Sequence, residues 1–200
     1  MANKLFVFIG PYAAGKNTIV SQLRSMGIHF VPIYTTKIYN RKEHKENTYN
    51  TVSREDFVKE KGFMVKVSYK GNYYGVKKDD ITEATANHPV SVLILDYNGV
   101  KQLTKFIKKN VETIYIMTDY VVLVDRMLRL GLRNDEIKYH LEYAETNKEF
   151  DNWKNTTHVV KNTGRLNVAI EQVLAIMGLM TLPPQETFDE LVGINRAEGF

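Results

Sequence analysis

Residues 10–18 read GPYAAGKNT, between the apolar run Leu5–Ile9 and the helix-like stretch Ile19–Met26. A Gly-x-x-x-x-Gly-Lys loop between a strand and a helix is a phosphate-binding device. Gly10 and Gly15 let the backbone turn tightly. The N–H groups around Ala13 and Ala14 then aim at phosphate oxygens, Lys16 adds a full positive charge, and the next helix adds its dipole. The loop predicts nucleoside triphosphate binding. The hydroxyl that serves Mg²⁺ normally follows the lysine directly. Here that place holds Asn17, with Thr18 next, so Thr18 is the candidate hydroxyl.

A second half of the site stands at residues 90–96, VSVLILD. An apolar strand ending in an acid puts Asp96 at a carboxyl edge, where it can hold the water shell of Mg²⁺.

The composition bounds the rest. A chain of 200 residues with 44% hydrophobic content can bury a real core. There is no cysteine, hence no disulfide and no thiolate metal site, which is compatible with a reducing cytoplasm. The short apolar run near the N-terminus serves best as a first strand, and no stretch approaches a membrane span. A net charge of +4 suits anionic small molecules and is too small and scattered to argue for nucleic acid. His29, His44 and His88 make no metal-ligand spacing and receive no role. The sequence carries no signal for oligomeric state.

Along the chain, strands are expected at Lys4–Ile9, His29–Ile33, Tyr49–Val52, Phe63–Tyr69, Tyr73–Val76, Val90–Asp96, Val111–Met117 and His158–Lys161. Helices are expected over Thr18–Met26, Ser53–Lys61, Asp80–Ala86, Val100–Lys108, Tyr120–Arg129, Asn134–Phe150 and Leu166–Met177. Ser53 and Asp56 form a capping box, and Lys70-Gly71-Asn72 reads as a hairpin turn. Alternating strands and helices after a phosphate loop predict an α/β fold, a parallel sheet flanked by helices. A small β-rich insert interrupts that alternation. The expected domain covers 1–180, with its core at about 1–33 and 77–180, the insert at about 34–76, a helical lid at about 126–145, and a tail at 181–200.

The chain resembles the guanylate kinases. Gly10-Pro11 through Gly15-Lys16 and Thr18 is similar to that family's GPSGxGKxT. Thr35-Thr36-Lys37 with Arg41 resembles its TTRxxR, and Tyr49 with Val52–Phe57 resembles its DYxFVSxEEF. Gly71–Gly75 reads GNYYG, the most specific match, and Leu95-Asp96 with Gly99-Val100 resembles a shortened LDxDxQGV. The resemblance implies a nucleoside monophosphate-binding insert and a lid closing over ATP. It implies that Lys37, Arg41, Tyr49 and Tyr74 bind the acceptor phosphate and that Arg129 and Arg133 act as catalytic lid cations with Lys16. It also implies that Asn162 contacts the adenine side. Lys for Arg at position 37 turns a bidentate fork into a point charge. One lid arginine of the family is replaced by His140.

The base-reading positions depart further. The family reads guanine with an acid and with small hydroxyls; here those positions are Val65, Ile33 and Val76, and Phe63–Lys78 contains no acid. Guanine's N–H donors need acceptors, and an apolar wall leaves them unpaired. Ser68, Asn72 and the backbone remain to compensate in part, with Ser68 the expected polar base contact. The resemblance implies in-line transfer from ATP to GMP, with base selectivity loosened, since an apolar pocket discriminates only ~10–200-fold. The alternative is a same-fold kinase for another (deoxy)nucleotide or small phosphorylated acceptor. A non-catalytic, protein-binding module of this family is disfavoured by the presence of Lys16, Thr18 and Asp96.

Overall fold

The computed structural model describes residues 3–38, 49–107 and 109–181. Its strands are β1 (Lys4–Ile9), β2 (His29–Phe30), β3 (Ile33–Thr35), β4 (Tyr49–Thr51), β5 (Phe63–Tyr69), β6 (Asn72–Lys77), β7 (Val90–Ile94), β8 (Val111–Met117) and β9 (His158–Lys161). Its helices are α1 (Lys16–Ser25), α2 (Arg54–Lys59), α3 (Lys78–Asn87), α4 (Tyr97–Phe106), α5 (Tyr120–Arg129), α6 (Asn134–Thr146) and α7 (Leu166–Ile176).

The main sheet runs β2-β7-β1-β8-β9 with every pairing parallel. Leu5 through Ile9 are at most 1% exposed, so the central strand is covered on both faces. That explains why β1 is a continuous apolar run and not an alternating one. Burying each such side chain stabilises the fold by about 1.5–3 kcal/mol. The phosphate loop leaves the carboxyl end of β1, the middle of the sheet.

The second sheet runs β4-β3-β6-β5. Its hairpin turns at Lys70 and Gly71, both at positive φ (50° and 75°), the conformation that matches the twist of paired strands. The β5 edge is tied to the core by α4. Gln102 accepts from the Lys66 N–H at 2.9 Å and donates back to the Lys66 carbonyl at 2.8 Å.

Three expectations are corrected. The His29–Ile33 run is divided between the two sheets, because Pro32 has no N–H to continue a ladder. The long helix from residue 134 stops at Thr146; Lys148 then adopts a left-handed φ of 54°, and Glu149–Asn155 winds as a 3-10 helix. The N-cap of α6 is Arg133. Asp96 lies two residues past β7 and caps α4, accepting from the Gly99 N–H at 2.6 Å.

Candidate active site

The phosphate loop needs its glycines for space as well as for turning. Gly10 has φ 140°, and a Cβ there would fall 2.7 Å from the Ile116 carbonyl oxygen. Gly15 has φ 99°, and a Cβ there would strike the Asn162 amide. Lys16 folds back to donate to the carbonyls of Gly10 (2.6 Å) and Pro11 (2.8 Å). Burial lowers its pKa to about 8, against the opposing pull of Glu149 and Asp96. An incoming phosphate would offer this ammonium a better partner than two neutral carbonyls.

The loop is held from behind. Arg126 on α5 donates to the carbonyls of Ala13 (3.3 Å), Ala14 (3.1 Å) and Asn162 (2.7 Å). Asn162 Nδ2 donates to the Ala14 carbonyl at 2.8 Å, and Thr118 reaches the same oxygen. Asn162 is buried, and its Oδ1 has no partner. That oxygen is an acceptor beside the loop awaiting a donor.

On the other side of Lys16 are the carboxylates. Burial pushes the Asp96 carboxyl up, and the Gly99 N–H draws it back. Glu149, at the start of the 3-10 helix, is pushed up by burial, drawn down by Lys16 and raised again by Asp96. Tyr115 fixes this segment by donating to the Glu149 carbonyl at 3.0 Å. Thr18 is exposed on the first turn of α1, with Asn17 partly buried beside it. A hydroxyl and carboxylates form an all-oxygen donor set, which fits Mg²⁺. Glu149 was missed in sequence because the helix from residue 134 was expected to run on to Phe150.

The insert brings its tyrosines to the loop. Tyr49 and Tyr74 meet edge-to-face at 6.0 Å, and the Tyr49 hydroxyl donates to Asn17 Oδ1 at 3.4 Å. Thr35 and Thr36 hold the strand that carries Tyr74: Thr35 Oγ1 donates to the Tyr73 carbonyl, and Thr36 Oγ1 accepts from the Tyr73 N–H, both at 2.9 Å. Tyr73 faces away, under the Arg54 guanidinium, which donates to its hydroxyl. Lys37 is partly buried, and its N–H donates to Thr35 Oγ1. Arg41 lies outside the described residues. Ile33, Val65 and Val76 are buried in the apolar core. Ser68 is exposed on a groove of about 480 Å³ that also presents Lys66, Asp96, Lys101 and Tyr143.

The lid is divided. Arg129 pairs with Asp125 at 3.0 Å, and Arg133 with Asp135 at 2.9 Å; both are more than three-quarters or about three-quarters exposed (78% and 75%). The structure therefore does not bring these two guanidiniums to Lys16. The lid residue it does bring to the phosphate loop is His140. That imidazole is 4% exposed, lies on the Tyr12 ring of the phosphate loop, and is hydrogen-bonded through Nδ1 to the Tyr69 hydroxyl of the insert. Burial pushes the Tyr69 phenol up, so it keeps its proton and donates. Lys70 at the hairpin tip adds an ion pair with Glu136 at 3.6 Å.

A phosphate loop on the central strand, an inserted sheet facing it and a helical arm touching both define a phosphotransferase of the P-loop kinase class. The family model for guanylate kinase matches residues 2–178, and the chain belongs to that family. A guanylate kinase of Koribacter versatilis is 27% identical over 88% of this chain and 78% of that protein. One from Mycoplasma genitalium is 30% identical over 80% of this chain and 69% of its own length. The crystal structure of a guanylate kinase from Anaplasma phagocytophilum covers 94% of both chains at 18% identity with a TM-score of 0.66, which bears on the fold. The protein is a nucleoside monophosphate kinase. Among the described residues no helix is long and apolar enough to cross a membrane.

Proposed function

We propose that the protein transfers the γ-phosphoryl group of ATP to GMP, giving ADP and GDP. The observation that carries this reading is the contact of Tyr49 with Asn17 of the donor loop, with Tyr74 packed edge-to-face against Tyr49 on the acceptor insert. The family membership supplies the acceptor class, and the guanylate kinases named above supply the base.

In this reading Gly10, Ala13, Ala14, Gly15, Asn17 and Thr18 cradle the donor phosphates, and Lys16 leaves the Gly10 and Pro11 carbonyls to bind them. Asn162 offers its unpaired Oδ1 to an adenine amino group. Mg²⁺ would supply neutralisation of the charge on the donor phosphates. Thr18 and Asp96 would hold it, with Glu149 completing the oxygen set. Tyr49, Tyr74, Lys37 and Arg41 grip the acceptor phosphate, whose own oxygen is the nucleophile, so no side chain forms a covalent intermediate. Arg129 and Arg133 reach the transferring group only when the lid moves from its present ion pairs, closing the site to water. The core runs at about 1–33 and 77–180, with the acceptor insert at about 34–76 and the lid at about 126–145.

The core position of Ile33, Val65 and Val76 leaves base reading to Ser68 and to the backbone of β5 and β6. A second reading follows from that: a same-fold kinase that accepts further (deoxy)nucleotides or another small phosphorylated acceptor. Its substrates are small nucleotides, and a cysteine-free chain suits a reducing cytoplasm. ADP release from Mg·ATP against each nucleoside monophosphate tests both readings. Turnover with GMP supports the first, and turnover confined to other acceptors supports the second.

A further inference from the structure

His29 and His88 are far apart in the chain, yet their rings stack with centroids 3.8 Å apart and 3° between planes. Glu83 faces both. Its carboxylate lies 3.5 Å from His29 Nε2 and 3.1 Å from His88 Nε2, one oxygen toward each ring. The three ligand atoms all lie within 4.8 Å of one another, and among the described residues this is the one such cluster.

The Ser91 hydroxyl decides which nitrogen is available. Ser91 Oγ donates to the Ala84 carbonyl at 3.2 Å, so its lone pair is left to accept from His29 Nδ1 at 3.1 Å. With the proton placed on Nδ1, the lone pair of the neutral ring is on Nε2, pointing at the carboxylate. A lone pair facing an anion is resolved by a cation between them. Ser91 is fully buried and pairs in register with His29, so this ring is anchored. His88 and Glu83 are one-third to one-half exposed and can contract around an ion.

We propose that His29, Glu83 and His88 bind a divalent cation of the zinc class, at a site separate from the phosphate loop. Two imidazoles and a carboxylate are the donor types that Zn²⁺ takes. The same donors are poorly suited to Mg²⁺, which prefers oxygen, so the ion of the nucleotide site does not compete. The ion would staple the edge strand β2 to the end of α3.

The test uses the untagged full chain, freed of metal by a chelator and titrated with Zn²⁺ by calorimetry in excess Mg²⁺. Co²⁺ absorption reports the coordination geometry. Binding of one Zn²⁺ per chain with a raised melting midpoint is expected. Glu83→Gln and His88→Ala each remove it, and Ser91→Ala weakens it ~10–100-fold. His158→Ala, which breaks the other close histidine–carboxylate pair (His158 to Glu112, 2.7 Å), leaves it unchanged. Unchanged melting in chelator shows that the variants fold. No Zn²⁺ binding, or equal binding in the Glu83 and His88 variants, overturns the proposal. So does a Glu83-dependent pH effect on stability that is indifferent to metal, because a proton would then be the only cation held.

Discussion

His140 lies flat against Tyr12, with ring centroids 3.9 Å apart and 8° between the planes. Tyr12 belongs to the phosphate loop and His140 to the lid helix, and the Tyr69 hydroxyl joins the insert to the same imidazole. Tyr143 meets Tyr69 edge-on at 4.7 Å on the far side. Phosphate loop, insert and helical arm thus meet at one neutral ring. Tyr12→Ala is expected to destabilise the protein by about 1 kcal/mol, the worth of an aromatic stack. Urea unfolding measures it. The same variant frees the lid, so it should alter the KM values of both substrates together.

Acid should loosen this junction. Burial lowers the His140 pKa to about 4, Lys70 and Lys37 push the same way, and Glu136 opposes them. The unfolded imidazole takes its proton near 6.5, so between about 6.5 and 4 the unfolded chain binds more protons than the folded one. The contribution is therefore fully present above about pH 6.5 and lost as pH falls toward 4. It amounts to roughly 3 kcal/mol. His140→Asn should flatten the stability profile across that window, and a profile unchanged from wild type would show that the imidazole is solvated.

Lys16 illustrates a residue kept for function against stability. Its ammonium is buried with two carbonyls for partners and its pKa is lowered to about 8. Lys16→Ala should cut turnover by at least ~10²–10³-fold, as expected for losing a fixed charge at a transferring group. Its melting midpoint without nucleotide should be no lower than that of wild type. Nucleotide phosphates restore the lysine's charge, so ATP binding should take up protons above about pH 8 and weaken as the pH rises further. Calorimetry in buffers of different ionisation heat reads that uptake.

Tyr74→Phe keeps the ring against Tyr49 and removes only the hydroxyl. A lost hydrogen bond to a charged phosphate is worth about 1.5–3 kcal/mol. The KM for the acceptor should rise ~10–100-fold while that for ATP stays near wild type. Equal changes in both would make the tyrosine a packing residue.

The sequence made the central sheet and phosphate loop readable because a buried parallel strand, a glycine turn and a lysine leave local signatures. The hairpin of β5 and β6 was readable for the same reason, through Lys70-Gly71. What stayed hidden depends on contacts between distant segments. The His29–His88 stack is made by a β-edge meeting a helix end, and no spacing announces it. Glu149, whose carboxyl feels the Lys16 charge, follows Lys148, which turns the chain with a left-handed φ of 54°. Arg126 stands behind the loop through its bonds to Ala13, Ala14 and Asn162, residues distant from it in the chain. Pro32 was visible, but its effect of parting β2 from β3 shows only once two sheets exist.

The most direct measurement is ADP formation from Mg·ATP with a panel of nucleoside monophosphates, with Lys16→Ala as the blank. GMP-dependent ADP and GDP production, absent in the variant, is the predicted result. ATP binding without turnover on any monophosphate would contradict it.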